Sequence, residues 1–135
     1  MSTPTLPAAQ RLLLLFLAGT SLGNGALIVL FPEQWYLCIA NPARAALYNA
    51  HFVTDVGATY LTIGCALLWA ALNPRHAYPL TTIALLFSGL HALHHVYEYS
   101  TFGNPTRHIL IEVLGIWGPV ALMAWLSFGM RARQT

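Results

Sequence analysis

The sequence predicts an all-α integral membrane protein, one domain built as a bundle of four spanning helices. Three observations lead there. The chain is 57% hydrophobic and 7% charged, where a soluble domain carries about 25% charged residues. Four apolar runs reach the roughly 20 residues that a helix needs to cross a bilayer core. The strict apolar–polar alternation of a barrel strand is absent. Six basic and four acidic side chains cannot cover a soluble surface, which excludes a soluble enzyme and a disordered segment. A net charge of +2, spread over single arginines, makes no phosphate-binding stripe and excludes nucleic acid as a partner. The lipid bilayer is the expected surrounding.

The first span is expected over 9–31 and stops at Pro32. Arg11 followed by Leu12–Leu17 has the charge and apolar core of a signal peptide. No small-x-small cleavage site follows, and the apolar run continues through Ala26–Phe31, so an uncleaved helix is expected. Pro32–Arg44 is the long connection, placed to fold over the outer mouth of the bundle. The second span is expected over 45–72, stopping at Asn73–Pro74, and the third over 77–100, ending before Gly103–Asn104–Pro105. The fourth covers 106–130, with a kink expected near Gly115 because Pro119 removes a backbone donor. Gly19 and Gly23 form a GxxxG, and Gly57, Gly64, Gly115 and Gly118 add further small contact positions. Cys38 and Cys65 fall on different levels, too far apart for a disulfide.

Arginine placement sets the orientation. Arg11, Arg75, Arg131 and Arg133 share one side, Arg44 and Arg107 the other. The positive-inside rule then puts both termini in the cytoplasm of a bacterial inner membrane.

The chemistry lies in ionisable residues inside these spans. His51 and Asp55 are spaced i, i+4 on the second. His91, His94, His95 and Glu98 follow at i, i+3, i+4, i+7 on the third, and His108 and Glu112 at i, i+4 on the fourth. Residues three and four apart share a helix face. At about 1.5 Å rise per residue, all three sets come to the same, outer leaflet. A lone charge at the bilayer centre costs about 2.5–3.5 kcal/mol on insertion scales. The expectation is therefore one polar site that faces inward from helices two, three and four. His76, beside Arg75 in a turn, is expected to be solvated.

Three chemistries fit those residue types. In the first, His51, Asp55, His91, His94, His95, Glu98 and Glu112 ligate a metal, zinc or iron, because both accept mixed imidazole and carboxylate shells. The Glu-x-x-His of di-iron bundles is reversed here as His95-x-x-Glu98, and HExxH is absent. In the second, Asp55, Glu98 and Glu112 do metal-free acid–base catalysis on a lipophilic small molecule, as an isomerase would. In the third, two histidines hold haem, which the adjacent carboxylates disfavour by crowding the ring. A non-catalytic accessory subunit is the plain alternative, with a homo-oligomer or a partner subunit left open.

Trp35–Tyr36 and the stretch Asn49–Ala50–His51–Phe52–Val53–Thr54–Asp55–Val56–Gly57 resemble small four-helix bacterial membrane proteins that are loosely DoxX-like. Their pattern has Arg where this chain has Thr54, which removes a cation beside Asp55. The resemblance implies fold and location and carries no activity.

Overall fold

Prolines and their neighbours set the helix ends. The computed structural model describes residues 5–39, 48–102 and 109–132. Arg44, the expected start of the second span at 45–47, the Gly103–Pro105 turn, Arg107, His108 and Arg133 lie outside them. The described chain is helical throughout: α1 (Ala8–Leu30), α2 (Pro32–Ile39), α3 (Ala50–Leu72), α4 (Ala77–Phe102), α5 (Ile109–Glu112) and α6 (Gly118–Arg131).

Pro32 stops α1 as expected, because a residue before proline avoids the helical region. Phe31 accordingly sits at φ −136°, ψ 57°. Pro32 then opens α2, where its missing N–H is no loss. The expected loop is thus a second helix for part of its length. The indole Nε1–H of Trp35 donates to Asn24 Oδ1 at 3.0 Å, which ties α2 back onto α1. Asn49 caps α3, its Oδ1 accepting the Phe52 N–H at 3.1 Å. Asn49→Ala should lower stability by about 1 kcal/mol, visible as a lower midpoint in a helicity melt. α3 ends at Asn73, and a single 3-10 turn over Pro74–His76 leads into α4.

A π-helical turn over Val113–Trp117 joins α5 to α6, and Gly118 N–H bonds to Val113 O. Pro119 gives the reason. Its ring would strike the carbonyl four residues back, and a wider turn makes room. The expected kink is this turn.

α1 and α3 form the most intimate pair, followed by α4 with α6 and α3 with α4. Three glycines bring α1 and α3 together. A Cβ on Gly25 would stand 2.8 Å from Leu61 N and 2.9 Å from Gly57 O. One on Gly57 would meet Ile28 and Val29, and one on Gly64 would meet Leu22. Gly19, Gly23 and Gly115 have nothing within 4 Å. The GxxxG therefore does not form the contact expected of it.

The large apolar core lies at one end, called inner here after the arginine count. It joins Leu14 and Leu17 of α1, Ile63, Leu67, Ala70 and Ala71 of α3, Ala77 and Ala84 of α4, and Met123, Leu126 and Met130 of α6. Three polar side chains are buried beside it: Gln10, Thr81 and Ser127. Among the described residues, Gln10 Oε1, Thr81 Oγ1 and Ser127 Oγ have no hydrogen-bond partner. Left dry, each such group costs about 1–3 kcal/mol.

α1, α3 and the stretch Val113–Arg131 are long and apolar enough to cross a membrane. α4 is longer, at 26 residues, yet does not join them on hydropathy. Its large apolar side chains Ile83, Leu86, Leu90 and Leu93 are exposed, as is His94, while the small residues Ala77, Thr81, Ala84 and Ala92 are buried.

Candidate functional site

The α4 residues assemble by helical spacing alone. Four positions apart, His91 and His95 bring Nε2 to within 3.3 Å of Nε2. Their rings are edge-on, with centroids 4.8 Å apart and planes at 81°. On its other side, His95 turns Nδ1 to Glu98 Oε2 at 3.7 Å. The second oxygen of Glu98 lies 3.6 Å from His94 Nε2. Both distances are beyond a direct hydrogen bond and describe charge proximity. Phe87 stacks on His91 with planes 7° apart, fixing that ring from the inner side.

Burial grades the members. The His95 side chain is 21% exposed and Glu98 41%, while His94 is 61% exposed and turns outward. His91 is half-buried. Tyr99, four residues past His95, meets its ring at 6.2 Å with planes tilted by 50°. Its hydroxyl is buried without a hydrogen-bond partner among the described residues. Tyr99 is not among the site residues expected from the sequence, and the structure adds it to this cluster. The i, i+4 spacing from His95 was the available signal.

His51 and Asp55 form a separate local pair, Nε2 to Oδ2 3.4 Å, and are 88% and 65% exposed. They occupy the first two turns of α3. Inward orientation was expected of them, and the structure turns them outward. Glu112 is half-buried at the end of α5, directly before the π turn. π turns recur at functional sites because they re-aim side chains. Among the described residues, no three His, Cys, Asp or Glu side chains converge as a metal-holding group. His108 lies outside the described residues. His76 is exposed, as expected of a turn residue, and meets Trp69 edge-on at 6.2 Å. Cys38 and Cys65 are free and exposed.

Chemically, the α4 cluster offers two imidazole nitrogens 3.3 Å apart and a carboxylate near one of the rings. Such an arrangement can hold a cation or pass a proton. The chain matches no protein-family model, no curated protein and no solved structure.

Proposed function

We propose that the chain is a four-span bundle of the bacterial inner membrane, with α4 as its third crossing, and that it binds a transition metal in its outer half. The ligands are His91 and His95 through Nε2, and the metal is zinc or iron. One observation carries this reading: the 3.3 Å between the two nitrogens. Two nitrogens bound at about 2.0–2.1 Å to one tetrahedral ion stand about 3.3–3.4 Å apart. The pair already has that bite. Glu98 then acts from behind through its charge, 3.7 Å from His95 Nδ1, in the place where carboxylates commonly support metal-bound histidine. Two protein ligands leave positions for Glu112, for solvent or for an oxygen of a lipophilic small molecule. When bound, the metal supplies Lewis acidity to such an oxygen. The chain's own part is to orient the rings and to keep the site in an apolar surround. The exposed leucines of α4 face lipid in this reading.

Metal-free acid–base catalysis draws on the same carboxylate, since Glu98 stands between two imidazoles. Cobalt titration separates the two. The detergent-solubilised full chain, titrated with Co²⁺, should develop the visible bands of a nitrogen-ligated, low-symmetry ion at one equivalent. A spectrum identical to hexaaquo cobalt at all ratios supports the metal-free reading instead.

A further inference from the structure

We propose that a file of water runs along the inward face of α4, from a polar layer at the inner end to the histidine pair. It deepens the metal-site reading and rests on it for its destination: water is the polar co-substrate of that site, and it arrives from the inner side.

The polar layer comes from three helices. Gln10 lies one turn before Leu14 on α1, Thr81 lies between Ala77 and Ala84 on α4, and Ser127 lies between Met123 and Met130 on α6. Those five neighbours all belong to the same core cluster, so helical spacing turns the three polar residues into that core. Each is at least nine-tenths buried, at 5%, 0% and 6% exposure. Gln10 reaches α6, because a Cβ on Gly129 would stand 3.1 Å from its Nε2. Three buried polar atoms without protein partners, in a core otherwise apolar, are the kind of group that ordered internal water satisfies. Buried polar groups that no protein group satisfies are met by water in the great majority of structures.

From Thr81 the polar residues continue along one face. Thr81, Ser88, His95 and Tyr99 fall within about 40° of one another around the helix at 3.6 residues per turn. They extend roughly 27 Å along its axis at about 1.5 Å per residue. That length is close to the hydrocarbon thickness of about 30 Å. Ala84 and Ala92, between them on the same face, are buried and small. The far end of the file is Tyr99, whose hydroxyl is also buried and without a partner among the described residues. An unpartnered polar group thus stands at each end of one stripe, and the histidine pair stands beside its outer end.

Thiol accessibility tests this. Cys38→Ala and Cys65→Ala together remove the native thiols. On that background, Ser88→Cys, Ser127→Cys and the lipid-facing Leu90→Cys are each placed in the full chain in vesicles. A small, charged methanethiosulfonate reagent reacts with thiolate, which forms only where water reaches. Ser88→Cys and Ser127→Cys should label at least tenfold faster than Leu90→Cys. Labelling of either at the Leu90→Cys rate overturns the file. Thr81→Val supplies a second readout that needs no added thiol. It should lower the melting temperature, because a bridged water loses one partner, whereas a higher melting temperature marks a dry hydroxyl and overturns the proposal. Cobalt titration of the same vesicles keeps the two readings apart. Cobalt bound without Ser88→Cys labelling defeats the file alone, and labelling without cobalt binding supports the file and defeats the metal reading.

Discussion

Gly25→Val should destabilise the chain by about 3 kcal/mol, the upper part of the usual range for overpacking. Even the first added carbon meets two backbone atoms, Leu61 N at 2.8 Å and Gly57 O at 2.9 Å. Backbone atoms cannot rotate aside, so α1 and α3 must separate along their whole contact. That contact matters more here than in a soluble bundle. In lipid, apolar side chains gain little by leaving their surroundings, and close packing at small residues supplies the attraction instead. Gly19→Ala and Gly23→Ala are the matched controls, since nothing lies within 4 Å of either position. Each should stabilise by about 0.5–1 kcal/mol through helix propensity. Helicity melts in one detergent compare all three variants. Equal midpoints for Gly25→Val and the controls would show that α1 and α3 do not meet as described.

His95→Ala should weaken cobalt binding beyond the roughly 10–100-fold that loss of an outer-shell partner causes. His91→Ala should match it, because the two nitrogens share one ion. Glu98→Gln should fall inside that range, since it removes the charge that stands 3.7 Å from His95 Nδ1. His94→Ala should change affinity little. Its ring is 61% exposed and meets Glu98 rather than the paired nitrogens. Lowering the pH should release the metal, because protons compete for the same lone pairs. An affinity lost with His94→Ala and kept with His91→Ala would assign the site to the outward face of α4.

Apolar length made most of the architecture legible. Runs bounded by Pro32 and by Asn73–Pro74 gave the ends of α1 and α3 to within a residue or two, because proline acts locally. The same rule hid α2. Pro32 reads as a stop, and nothing in spacing alone tells that it also begins a helix. Gly25 escaped for a related reason. A GxxxG spacing identifies small residues that share a face, and Gly19 and Gly23 do share one, but the face that meets α3 is decided by the partner helix. For α4, the apolar count gave a span, whereas its histidines and other polar residues keep it from joining the other three on hydropathy.

The site divided along the same line. Contacts within a helix follow from spacing, and the His91–His95–Glu98 chain was legible in the sequence for that reason. Contacts between helices depend on rotation about each axis, which spacing does not encode. His51 and Asp55 share the i, i+4 relation found in the α4 set, yet they turn outward. Tyr99 shows the converse. Its type reads as an interface residue, and its position four residues beyond His95 buries the hydroxyl beside that ring.

X-ray absorption at the metal edge of the zinc- or cobalt-loaded full chain tests the metal site most directly. Two imidazole nitrogens at about 2.0–2.1 Å, absent after joint replacement of His91 and His95 by alanine, are the predicted result. A first shell of oxygen alone, unchanged by that replacement, would contradict it.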